Sequence, residues 1–261
     1  MKKIIFTFVC LLGFLLFFQS TATTDKHISY NTNENTLPSE GEKNMSAPAE
    51  HIGQYNPQAD SAKNRTIYAY GFYYEPLPDK IKEKITGISY HENDNITYDD
   101  LSYVNVLYVD FNGETQEGEI ICNQAIANDL VEIFKVLYDN AYQIDKIRLI
   151  DEYGGDDDLS CDDNNTSCFN YRVVGGTDTL SKHALGLAID INPFQNPYIT
   201  YPDGKERISP KGSEPYADRD SGLEHMILEG DLCYTLFTEH GFTWGGHWKT
   251  LKDYQHFQKS I

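Results

Sequence analysis

The 261-residue sequence predicts an α+β fold: one domain with a mainly antiparallel sheet flanked by helices. Three observations carry this reading. Short runs rich in aromatic and β-branched residues recur, as suits strands. One such run is followed by Asn112-Gly113 and a return run, the mark of a hairpin. Between strand-like runs lies a stretch whose apolar residues recur at helical spacing. An apolar fraction of 40%, with 13% aromatics, suffices for a packed core, so wholesale disorder is excluded.

Residues 1–22 have the form of a secretory signal. Lys2 and Lys3 lead an uncharged apolar run, 4–18, that ends in Ser20-Thr21-Ala22. The run is shorter than the ~20 residues of a spanning helix, so cleavage is expected over anchoring. Residues 23–63 are polar without apolar periodicity and read as a disordered tether. Residues 64–261 form the domain. Within it, 67–72 and 103–109 are expected strands, and 119–122 is the return strand after Asn112-Gly113. Asn123 can cap a helix in which Ile126, Leu130, Ile133, Phe134 and Leu137 share one face, running to about Asn140. A short strand is expected at 147–150, an acidic loop at 151–166 and a strand at 187–191. Asp231 opens a short helix that Gly241 closes.

The net charge of -19, from 40 acids and 21 bases, argues against nucleic acid as a partner and against docking on anionic lipid. An exported chain places Cys161 and Cys168 in an oxidising compartment. They enclose a short loop and are either a local disulfide or two free thiols. Cys122 and Cys233 read as buried apolar fillers. The seven acids of 151–163 could in principle serve a calcium site. Their spacing matches no EF-hand loop, and a solvated loop is the better reading.

Two stretches carry chemistry. In 181–190, His183 and Asp190 are seven apart and would face opposite ways on a straight strand. A bend at Gly186 can bring them to one side. In 242–257, Asp253 and His256 are three apart, which places them together on a helical turn. Two histidines and an aspartate leave a fourth position open for water, as catalytic zinc requires. Asp253 could then take that water's proton and pass it to a leaving amine. On residue types alone, structural hydrogen bonding explains each stretch at least as well.

Taken together, SxHxxGxAxD (181–190), WGGxW (244–248) and DxxHF (253–257) resemble the zinc D-Ala-D-Ala carboxypeptidase and L-Ala-D-Glu endopeptidase family of bacterial cell-wall peptidases. Upstream runs around Tyr153, Gly154 and Asp156, Asn164 to Ser167, Phe169-Asn170 and Arg172 look like one branch of it, as do 190–193 and 195–198. The similarity spans about 103–257. It implies the family's fold, shared with hedgehog-type domains, and one zinc per chain. His183, Asp190 and His256 would be the metal ligands. Asp253 takes the place of the general base, which is Glu in some members and Asp in others. Arg172 would steady the oxyanion or a substrate carboxylate, its alternative being an ion pair with the acidic loop. Ser181 would bind the substrate, and Trp244 and Trp248 would wall the cleft. His247 departs from the Asp or Asn common there, and could contact the substrate or sit behind the metal. The other histidines read as surface or cap residues.

The signal implies export to the periplasm or outside the cell, and the resemblance implies an enzyme associated with the cell wall. It would hydrolyse a peptide bond in peptidoglycan stem peptides, with no stable membrane insertion after signal cleavage. A zinc-bearing binding or signalling module without turnover is the rival from another class.

Overall fold

The computed structural model describes residues 64–261. The signal and tether readings lie outside the described residues.

The chain first builds a four-stranded antiparallel sheet in the order β1-β2-β3-β4, from β1 (Thr66–Ala69), β2 (Phe72–Pro76), β3 (Leu101–Val109) and β4 (Thr115–Asn123), with helix α1 (Asp79–Ile85) between β2 and β3. The expected strand at 67–72 is in fact broken. Gly71, at φ 74°, reverses the chain between β1 and β2, so Phe72 is buried while Ile67, Tyr68 and Tyr70 stay exposed. Alternation across this run therefore marks a turn rather than a continuous strand.

The β3–β4 hairpin forms as expected, from Leu101↔Asn123 to Val109↔Thr115. Its turn is held by Asp110, whose Oδ1 accepts the N–H groups of Asn112 and Glu114, each at 2.9 Å, and whose Oδ2 accepts Nε2 of Gln116 at 3.0 Å. All of β3 but its last residue is buried, because both faces of the sheet are covered. Val104 and Val106 pack with helix α2 (Ala127–Asp139), whereas Leu101 and Tyr103 pack with Ile81 and Ile85 of α1. The side chain of Asn123 accepts the Ala125 N–H at the helix entrance, and Ile126, Leu130, Ile133, Phe134 and Leu137 are all buried.

The expected strand at 147–150 shrinks to β5 (Lys146–Ile147), since the chain turns into a 3₁₀ segment at Ile150. The acidic stretch 151–166 is not an irregular loop. It contains α3 (Asp157–Asp162) and β6 (Asn165–Thr166), and β6 pairs parallel with β5. Asp156 accepts the Leu159 N–H and caps α3. The neighbouring acids have partners too: Asp151 accepts from Ser89, and Asp163 from Tyr153 and Lys146.

The remainder comprises β7 (Ala188–Asp190), β8 (Tyr198–Thr200), β9 (Arg207–Ser209), α4 (Leu232–Glu239), β10 (Thr243–Trp244), β11 (Lys252–Asp253) and β12 (His256–Gln258). Two three-stranded antiparallel sheets result, β10-β12-β7 and β11-β8-β9. As expected, Asp231 caps α4 through the Tyr234 N–H, and Gly241 follows it at φ 83°. Phe257 of β12 stacks on Phe237 of α4 at 4.4 Å, which ties the first of these sheets to the main core. The described residues are thus a mixed α+β fold with mainly antiparallel sheets. Cys122, Cys161, Cys168 and Cys233 are all free, so of the two readings of Cys161 and Cys168 the structure shows the free thiols.

Candidate metal centre

His183 stands at the start of a 3₁₀ turn, His183–Leu185, entered through Ser181, whose Oγ accepts the His183 N–H at 3.2 Å. Gly186 closes the turn at φ 64°. A Cβ there would lie 2.5 Å from the Asn123 nitrogen and 2.9 Å from the Cys122 carbonyl carbon, so the position needs glycine both for its backbone angle and for its space. The Asn123 N–H donates to the Gly186 carbonyl at 2.8 Å, and its side-chain amide donates to Leu185 O. One asparagine thereby supports the entrance to α2 and clamps the bend. The bend leads into β7, which ends on Asp190, and Asp190 lies directly across the ladder from His256 on β12.

Three donor groups converge. His183 Nε2 is 3.2 Å from His256 Nδ1 and 3.3 Å from Asp190 Oδ2, and His256 Nδ1 is 2.9 Å from Asp190 Oδ1. Adjacent ligands on a zinc tetrahedron with bonds of ~2.05 Å stand about 3.3 Å apart, close to these separations. The outward nitrogens also have partners. His183 Nδ1 donates to the Cys168 carbonyl at 2.6 Å, and His256 Nε2 lies 3.1 Å from Gln258 Oε1. With both protons on the outer nitrogens, two lone pairs and a carboxylate face one another. Such a cluster calls for a proton or a metal cation, and its nitrogen and oxygen donors suit zinc. Among the described residues it is the one grouping of this kind found. Burial alone would raise the Asp190 carboxyl and lower the His256 imidazole. Attraction outweighs burial in both cases: His183 foremost, with His256, holds Asp190 well below the carboxylate range, and Asp190 pushes His256 up to about 9.

Asp253 does not share a helical turn with His256, contrary to the expectation from spacing. It lies on β11 opposite Tyr198 of β8, whereas His256 lies on β12, and a bend at Tyr254 and Gln255 joins the two strands. The glycines of the WGG motif permit this packing. A Cβ on Gly245 would meet the Asp253 carbonyl oxygen at 2.5 Å, and one on Gly246 would meet the Trp244 indole at 2.5 Å. Oδ1 of Asp253 is buried without a hydrogen-bond partner. Burial lifts the carboxyl to about 7, with His256 pulling it down and the Asp190 charge pushing it up.

A cleft of about 370 Å³ joins the three donors to Asp253, Arg172, Ser181 and Trp248. Arg172 makes an ion pair with Asp157 of α3, so the alternative reading of that arginine is present within the cleft itself. Trp248 stands with its ring 5.2 Å from that of His256. Trp244 does not wall the cleft. It is buried against Tyr234, Tyr254 and Phe257, and its Nε1 donates to Tyr254 O at 2.8 Å. His247 is exposed, faces Glu229 at 3.5 Å and does not line the cleft. Motif position indicates which residues are near a site but not which face each presents. His240 is a cap, as expected, its Nδ1 donating to Leu236 O at 2.8 Å. His225 is instead stacked on Phe111 at 3.9 Å.

Sequence reasoning missed Gln255, Cys161 and Gln258, all of which line the cleft. Gln258 had a readable signal: on a strand it shares a face with His256, two residues earlier.

The site therefore defines a class, a candidate mononuclear metal centre in an open cleft with a carboxylate beside it. Comparison with known families points to a relative of this class. Residues 175–259 match the family model described as D-alanyl-D-alanine carboxypeptidase, which bears out the resemblance carried by the motifs. The match includes Ser181, His183, Asp190, Asp253 and His256. Arg172 and the motifs upstream of it lie before its start. No curated protein and no solved structure matched the chain.

Proposed function

We propose that this chain is a zinc-dependent peptidase that hydrolyses a peptide bond in peptidoglycan stem peptides, in the manner of a D-Ala-D-Ala carboxypeptidase. The observation that carries the proposal is the buried, unpartnered Oδ1 of Asp253 in the same cleft as the His183–Asp190–His256 cluster. A site that only stored or displayed a metal would have no use for it.

In this reading His183, Asp190 and His256 hold one zinc. When bound, zinc supplies a Lewis acid that polarises the scissile carbonyl and acidifies water. Asp253 receives the proton of the attacking water at Oδ1 and returns it to the leaving amine. A carboxyl lifted toward neutrality by burial is a stronger base than an ordinary one and suits this exchange. Ser181 already accepts the His183 N–H at Oγ and keeps its own hydroxyl proton to donate to substrate. Arg172 steadies the oxyanion or a substrate carboxylate, exchanging part of its pairing with Asp157 for that contact. Trp248 walls the cleft. Trp244 and His247, given substrate roles by the resemblance, have none in this proposal.

The peptidase domain is residues 64–261, with the fold that the family shares with hedgehog-type domains. It follows a cleaved signal at 1–22 and a tether at 23–63, and the protein acts in the periplasm or outside the cell, at the wall. Among the described residues no helix is long and apolar enough to cross a membrane.

The test is digestion of purified peptidoglycan with mass spectrometry of the products. Free D-Ala is the expected product, and new D-Glu N-termini would assign the endopeptidase reaction instead. Asp253→Asn should retain zinc and lose about 100-fold or more in rate. Equal turnover by wild type and Asp253→Asn would end the catalytic assignment. No turnover by a zinc-loaded wild type would favour the binding-module reading.

A further inference from the structure

We infer that Gln258 is a positioning residue for the metal centre: its side-chain carbonyl holds the proton of His256 on Nε2 and so keeps the Nδ1 lone pair facing the other donors. The inference rests on the metal-site reading above and adds a residue to it.

The argument starts from the two histidines, which expose different nitrogens to the centre. His183 presents Nε2, and its outer Nδ1 donates to a backbone carbonyl, that of Cys168. No side-chain substitution removes that acceptor. His256 presents Nδ1, and its outer Nε2 faces Oε1 of Gln258 at 3.1 Å. Here the tautomer depends on a side chain. Inward Nδ1 is also 2.9 Å from Asp190 Oδ1, a good acceptor for a proton on that atom. A neutral His256 therefore has two competing arrangements. With the proton on Nδ1, it donates to Asp190 and the ring offers the centre no lone pair. With the proton on Nε2, it donates to Gln258 and Nδ1 is free to ligate. Gln258 favours the second arrangement only while its oxygen faces the ring, because the amide NH₂ at that place would demand a bare Nε2.

Position explains why this residue can do so. Gln258 pairs with Ala188 of β7 and Thr243 of β10, so the backbone of β12 is held on both sides. His256 and Gln258 project from the same face of that strand. Histidine ligands commonly give their outer N–H to such an acceptor, and its loss costs 10- to 100-fold in metal affinity.

The experiment measures zinc affinity by competition with a chromophoric chelator, together with unfolding in excess chelator. Gln258→Met keeps the length of the side chain and removes the acceptor. It should bind zinc about 10- to 100-fold more weakly and, without metal, unfold like wild type. Gln258→Glu offers acceptors only and should bind zinc at least as tightly as wild type. Wild-type affinity in Gln258→Met, or equal weakening in both variants, would overturn the inference. Failure of the metal-site reading looks different: wild type would then bind no stoichiometric zinc, or His183→Ala would keep it.

Discussion

Replacing Gly186 by alanine tests whether the bend before β7 builds the site. Two costs add. Gly186 has φ 64°, a region where a side chain costs roughly 1–2 kcal/mol. The new Cβ would also stand 2.5 Å from the Asn123 nitrogen and 2.9 Å from the Cys122 carbonyl carbon. Both are backbone atoms at the junction of β4 and α2, so no rotamer change relieves the overlap, and overpacking of this kind costs about 1–3 kcal/mol. The stiffer unfolded chain returns up to about 1 kcal/mol. The net loss is about 1–5 kcal/mol, or ~2–20 °C in Tm for a domain of this size. Thermal and urea unfolding in excess chelator read this loss without interference from metal binding. Because His183 begins the turn that Gly186 closes, zinc affinity should fall as well, and added zinc should widen the stability gap from wild type. Gly175→Ala is the control: a Cβ there meets nothing within 4 Å, and the residue is absent from the positive-φ glycines. A Gly186→Ala protein within 1 kcal/mol of wild type that still binds zinc at full affinity would refute the reasoning.

The two tryptophans of WGGxW should behave oppositely. Trp244→Ala should cost about 3–5 kcal/mol in chemical denaturation, as for a large buried side chain, with kcat/KM of the folded fraction little changed. Trp248→Ala should raise KM and alter stability by less than about 1 kcal/mol, since it is half-buried at the cleft. Asp110→Ala should lose about 2 kcal/mol at pH 7, from charge-assisted bonds to the Asn112 and Glu114 N–H groups and to Gln116. Those bonds, the one from the Glu114 N–H foremost, hold the Asp110 pKa below its ordinary value. Its stabilisation is therefore complete above the unfolded pKa of ~3.9 and is lost as pH falls through the lower folded value. Denaturation of the two proteins across pH 2 to 7 should show the gap closing at the acid end.

What was legible in this sequence follows from how local each signal is. The β3–β4 hairpin, α2 and α4 could be read because their turn, period and caps lie within a dozen residues: Asn112-Gly113, the stripe from Ile126 to Leu137, and Asp231 with Gly241. The relation between Asp253 and His256 could not. A spacing of three fits a helical turn, but these residues sit on strands of two or three residues whose partners, β8 and β7, lie more than fifty positions upstream. Strands so short carry no period of their own and exist because their partners do. The acids of 151–163 misled in the opposite way. Counted together they suggest a solvated loop, yet Asp156 caps α3, Asp157 pairs with Arg172, Asp151 accepts from Ser89, and Asp163 accepts from Lys146 and Tyr153. Charge summed over a segment says nothing about partners that fold back onto it. The grouping of His183, Asp190 and His256 could be anticipated despite their distance along the chain because several motifs in order resemble one family, whereas residue types alone did not single it out. What brings them together is recorded mainly in the glycines. Gly186 and Gly245 each admit a backbone segment within 2.5 Å of where a Cβ would stand, from β4 in one case and β11 in the other. In sequence each appears only as an absent side chain, and its purpose becomes visible once the passing strand is known.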